Sequence, residues 1–138
     1  MRVNFQIGSS DELKLSGRSI DLHNNFDFLG FEYRTDDMSA ILRWRKTDGE
    51  WVRPDELQSV TIEHRSVSFM KVTERDPDLP PTEDGCLSSV TYYPSSDREG
   101  NDGICERVLP EDHDDIVYTF QSGQTIRIGC KEIKLSTE

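Results

Sequence analysis

Residues Ile116–Cys130 read IVYTFQSGQTIRIGC, and this stretch decides the fold class. Ile116, Tyr118 and Phe120 alternate with other residues, and Ile126, Ile128 and Cys130 do the same beyond Ser122-Gly123. A period of two is the signature of a strand with one buried face. Two strands flanking a Gly-containing turn make a hairpin, and the apolar phase sets its register. A two-residue loop would put Tyr118 and Phe120 on the face opposite Ile126 and Ile128. A three-residue loop, Gln121-Ser122-Gly123, puts all five apolar residues on one face, with Gly123 in the left-handed position of a type I turn plus G1 bulge. The second register is expected, with Tyr118 opposite Ile126 and Ile116 opposite Ile128. Gly123 is then the residue the turn requires, and Ser122 is expected to matter little.

The same period runs outward from this hairpin. It recurs in Met38, Ala40, Leu42 and Trp44, in Val60, Ile62 and His64, and in Ser88, Val90 and Tyr92. Phe26 and Phe28 are out of step with Phe31 and Tyr33, and one extra residue at Leu29-Gly30 would bring all four aromatics to one face, as a β-bulge does. The alternative is a strand buried on both faces. Thr47-Asp48-Gly49 suggests a second three-residue hairpin, with Trp44 facing Val52 and Arg45 facing Trp51. The chain has a single Ala, against 26 Val, Ile and Thr residues, which favours strands over helices. No stretch shows a helical apolar face over three turns. Arg53-Pro54-Asp55-Glu56-Leu57 reads at most as one helical turn. The expectation is an all-β protein, a single domain over residues 1–138. It would be a small antiparallel β-sandwich or open barrel of eight or nine strands, since that many strands need a second layer to cover their apolar face.

The 138 residues hold 16 Lys and Arg against 27 Asp and Glu, a net charge of -11. Thirteen of the acids and only three cations (Arg75, Arg98, Arg107) fall within residues 74–115. That region carries nearly the whole surplus and reads as long acidic loops around one strand, Cys86–Tyr93. Such a balance argues against nucleic-acid binding, which needs cations to displace counterions, and against anionic membranes. No run approaches the roughly 18 apolar residues of a membrane span, and MRVNFQIGSS lacks the apolar core of a secretory signal. With three widely spaced cysteines (Cys86, Cys105, Cys130) and no CxxC, a cytoplasmic protein with reduced thiols is expected, a Cys86–Cys105 bridge being the alternative.

No catalytic, phosphate-binding or cofactor motif occurs. Asp97, Glu99, Asn101 and Asp102 imitate a calcium loop, but Asp102 stands where that loop needs Gly and Val108 where it needs Glu, so no metal site is expected. His64 follows the apolar phase and is expected at the core edge. His23 is expected in a turn and His113 in solvent. Trp44 and Trp51 read as packing residues rather than a sugar platform. Arg43 and Arg45 read as the solvent face of a strand, within a cation-rich patch that includes Arg34 and Lys46. The expected function is non-catalytic: an interaction domain whose acidic surface binds a basic protein, inhibitor-like or immunity-like by analogy of charge and size alone. Its contact residues would be the acids near the ends of the Cys86–Tyr93 strand and entering the next strand: Asp84, Glu111, Asp112, Asp114 and Asp115. The alternative is a small-ligand or enzymatic β-domain using the sandwich interior or mouth.

Overall fold

The computed structural model describes residues 1–9, 11–99 and 107–138. Of these, 52% lie in strands and 9% in short helices. The strands are β1 (Arg2–Val3), β2 (Gln6–Ser9), β3 (Glu12–Leu15), β4 (Arg18–Asp21), β5 (Phe26–Arg34) and β6 (Ser39–Lys46), then β7 (Ser59–Arg65), β8 (Phe69–Val72), β9 (Leu87–Pro94), β10 (Asp114–Phe120), β11 (Thr125–Gly129) and β12 (Glu132–Thr137). One helical turn, α1 (Leu22–Asn25), is capped by the Asp21 carboxylate, which accepts from Asn24 N. The strands form three sheets: β1-β12-β7-β6-β5, β8-β11-β10-β9, and β2-β3-β4. β1–β12 is a parallel pair in an otherwise antiparallel framework.

The five-stranded and four-stranded sheets face each other across the core. Ala40, Leu42, Trp44, Val60, Ile62 and His64 come from the first, and Val90, Tyr92, Ile116, Tyr118, Ile126 and Ile128 from the second, all fully buried. The layers meet ring to ring: Phe28 lies 4.6 Å from Phe120, and Trp44 6.1 Å from Tyr118. The three-stranded sheet adds Ile7, Leu13 and Ile20 to the same core cluster. The architecture is an all-β sandwich, with twelve strands rather than eight or nine. The excess lies mostly in the first 21 residues. Each of their four-residue strands buries one residue, too few for an alternating pattern to register.

The Ile116–Cys130 hairpin has the expected register, with Ile116 opposite Ile128 and Tyr118 opposite Ile126. Gly123 has φ +84°. Gly123→Ala should therefore lower stability by about 1 kcal/mol or more in urea denaturation. Ser122 departs from expectation. It is fully buried, its carbonyl accepts from Asp76 N at 2.7 Å and its hydroxyl from Gln124 N at 3.4 Å. It ties the start of the acidic segment to the turn.

The bulge is also where the phase change requires it. Phe28 pairs with Trp44 and Gly30 with Arg43, leaving Leu29 extra, and Gly30 has φ +135°. Phe31 and Tyr33 then share the phase of Leu42 and Ala40. Yet they stay 41% and 43% exposed, at the end of an edge strand that no described residue covers there.

Two further expectations are corrected. Thr47-Asp48-Gly49 does not form a hairpin. β6 pairs with β5 and β7, so Trp44 faces Phe28 and Val60, and Arg45 faces Asp27 and Ser59. Trp51 is 68% exposed, packs over Gly49 and donates its indole N–H to Asn24 O at 2.8 Å. Residues 47–58 form turns, including one closed by Glu56 N to Arg53 O, because both edges of β6 were already taken. Met38 is not a strand residue facing the core. It sits half-exposed in the β5–β6 turn with φ +54°.

Candidate functional site

The acids singled out in the sequence separate into two places. Asp84 lies in the 3-10 turn Pro81–Gly85, which leads into β9 beside the Phe120 end of β10. Glu111, Asp112, Asp114 and Asp115 lie at the other end of this seven-residue strand, about 20 Å off at the rise of a strand. They do not form one surface.

At the β10 start, Glu111 and Asp112 face solvent while Asp114 and Asp115 turn inward, 5% and 1% exposed. Asp115 anchors a charge cluster on the outer face of the four-stranded sheet. Arg127, itself 1% exposed, donates Nε–H to Asp115 Oδ2 at 2.8 Å and its other N–H groups to Pro94 O and Asp97 O. Arg98 grips the same carboxylate with Nε and Nη2, each at 3.0 Å, and stacks 3.8 Å over the Phe69 ring. Arg107 holds Asp114 at 2.9 Å and Glu111 at 2.9 Å. Gly129 leaves room for this arrangement: a Cβ there would lie 2.6 Å from Asp115 Oδ1 and 2.8 Å from Arg98 Nη2. The cluster clamps residues 94–98 over the sheet. Asp114 and Asp115 are thus part of the frame rather than contact residues, because unpaired carboxylates could not be buried at this depth. The hairpin register carried the signal for this. With Val117 opposite Arg127, Asp115 is the diagonal neighbour of Arg127 on the same face.

At the other end, Arg75 holds Asp84 through Nε at 2.8 and 3.0 Å and donates to Leu79 O. The guanidinium keeps the Asp84 carboxyl below its ordinary range. Between this turn and β5 opens a groove of about 760 Å³, with Phe28, Leu29 and Phe31 on one side and Pro81 and Asp84 on the other. Asp27 also lines it, and no Lys or Arg does. Across β5, Arg34 and Arg43 both meet Glu32, at 2.8 and 3.4 Å, so these two cations of the patch are engaged on an exposed face.

Cys86 lies 3.4 Å from His23 Nδ1. This contact is not a nucleophile and its base. Nδ1 is 2.7 Å from Leu87 O, an oxygen that can only accept, so Nδ1 carries the proton and cannot take one from the thiol. Burial, with Glu83 and Asp27 nearby, also pushes the Cys86 thiol up, away from thiolate. Burial drives Cys130 up to about 12. Both cysteines are free; Cys105, and with it the Cys86–Cys105 alternative, lies outside the described residues. So do Asn101 and Asp102 of the calcium-like run. Among the described residues no group of three or more His, Cys, Asp and Glu side chains is placed to hold a metal ion, and no helix is long and apolar enough to cross a membrane.

Fold and groove together define an all-β sandwich with acids at both ends of one sheet and an acid-lined mouth at the edge of the other. No protein-family model, no curated protein and no solved structure matches the chain.

Proposed function

We propose that the protein is a non-catalytic interaction domain that binds a basic protein partner in the cytoplasm. One observation carries this reading. All three cations of the acidic segment are engaged by acids of that same segment: Arg75 by Asp84, Arg98 by Asp115, and Arg107 by Asp114 and Glu111. They fasten the segment to the sandwich and do not screen its surface, where Glu74, Asp76, Asp78, Glu99 and Asp112 are exposed. A surface with such a surplus repels itself, and a cationic partner relieves that repulsion. It also steers encounter, at a rate that falls as salt shortens the screening length to about 8 Å.

The test is capture of partners at low and physiological salt by the wild type and by a variant with Glu74→Gln, Asp76→Asn, Asp78→Asn, Glu111→Gln and Asp112→Asn. Asp114 and Asp115 are left alone because they hold the fold. The wild type should retain a basic protein that the variant loses and that salt releases. Equal capture by both, or capture of no basic protein, would overturn the reading.

A further inference from the structure

The free edge of β5 is unlike the other sheet edges. β1 has two residues; β2, β4 and β8 have four each. β2 is further engaged where Ile7 N donates to Val108 O, and β8 carries an exposed Lys71. β9 is long, but the Leu87 carbonyl accepts from the His23 ring. β5 has nine residues and, among the described residues, pairs on one side only, with β6. The Pro81–Gly85 turn packs near Phe28, where a Cβ on Gly85 would lie 3.8 Å from Phe28 O. Past the bulge, Gly30–Arg34 presents Phe31 and Tyr33 half-exposed, with Leu29 at 54% beside them. A long edge with exposed apolar side chains is a template for strand addition, and natural proteins otherwise blunt such edges.

Charge selects the occupant. The groove at the bulge is lined by Asp27 and Asp84 and by no Lys or Arg; Arg75 already pairs with Asp84 from behind the lining, so Asp27 is the carboxylate offered to a ligand. A second copy of this chain would bring like carboxylates and its own net charge of -11, so pairing of two β5 edges is opposed. Building on the basic-partner reading above, we propose that Gly30–Arg34 is a docking edge for an extended basic segment of the partner protein. The segment adds as a sixth strand to the five-stranded sheet. Its apolar side chains cover Leu29, Phe31 and Tyr33, and a Lys or Arg enters the groove beside Asp27, Asp84 being held by Arg75. Main-chain hydrogen bonds supply affinity, and the groove supplies preference for a cation at one register position.

The probe is a blocked hexapeptide alternating lysine and valine, titrated into the full chain labelled with ¹⁵N at low salt. Amide shifts should change over Gly30–Arg34 and Thr82–Gly85. A Phe31→Ser/Tyr33→Ser variant that keeps its folded spectrum should bind about tenfold more weakly, as should Leu29→Ser. N-methylation of alternate peptide bonds, which removes strand hydrogen bonds, should abolish binding, and a glutamate–valine peptide should not bind. Shifts confined to Glu111–Asp112 would overturn the docking edge while leaving the basic-partner reading standing. Equal binding of spermine at the groove, or of the N-methylated peptide, would overturn strand addition in favour of a small-cation site. A dimer through β5 in sedimentation would overturn the choice of occupant. No shift anywhere would overturn the docking edge, and capture of a basic protein in the preceding experiment would then show that the broader reading survives.

Discussion

Asp115→Ala should lower stability by about 3–5 kcal/mol in urea denaturation, the usual cost of leaving one member of a buried ion pair without its partner. The variant strands Arg127, 1% exposed, with only the Pro94 and Asp97 carbonyls as acceptors. It also frees Arg98, so the strap at residues 94–98 should become more susceptible to proteolysis. Arg127→Met should cost less, because Arg98 still meets both oxygens of Asp115. The double variant Asp115→Leu/Arg127→Met should recover much of the loss, since a packed apolar pair can replace a buried ion pair at little net cost. If Asp115→Ala were as stable as the wild type, the cluster would not be what holds the strap.

The second large effect is pH-dependent and sits at His64. This side chain is fully buried in the seam between the two main sheets. Its Nδ1 lies 2.9 Å from Ala40 O, an acceptor, so Nδ1 donates there. Nε2 then accepts from the Tyr118 hydroxyl at 2.8 Å. This pairing satisfies the neutral ring, and a second ring proton would require the Tyr118 hydroxyl to reverse its role inside the buried core. Burial lowers the His64 pKa from its ordinary 6.5 to about 4, outweighing the Ala40 hydrogen bond. Above pH 6.5 both folded and unfolded forms are neutral here, and His64 adds no pH dependence. Between pH 6.5 and 4 the unfolded chain takes up a proton that the native state refuses. Stability should therefore fall with falling pH by about 1.4 kcal/mol per unit, about 3 kcal/mol in all, and level off once the native ring also protonates. His64→Gln should lose this component between pH 7 and 4 while starting from a lower stability. The decisive quantity is the difference between the two pH profiles. A variant that tracks the wild type through this range would remove His64 as the source.

Which residues turn inward was legible where a strand is long and one face is dry. Ile116–Cys130, the bulge at Leu29-Gly30, and Val60, Ile62 and His64 all take the side that their alternation assigns. Alternation fails where a loop covers the second face. β10 buries residues on both sides, because the strap at 94–98 lies over Asp115. Asp115, read as a contact acid, is therefore among the most buried side chains, whereas Asp114 shares the phase of Ile116 and turns inward with it. It fails again at Trp51: a turn motif proposes a hairpin, but pairing is settled by which neighbour takes the strand edge, and β7 took it.

From the sequence by itself follow the all-β class, the register of the Gly123 hairpin and the concentration of negative charge in residues 74–115. Each depends on local spacing: side chains alternate at period two, a left-handed turn position demands glycine, and charge is additive along a chain. Tertiary structure alone decided which acids face outward, that Asp84 and Glu111 lie at opposite ends of a sheet, and that β5 keeps an open edge beside a cation-free groove. Those depend on contacts between residues far apart in the chain, where burying a carboxylate requires a guanidinium brought from another strand. No one-dimensional pattern records which guanidinium arrives.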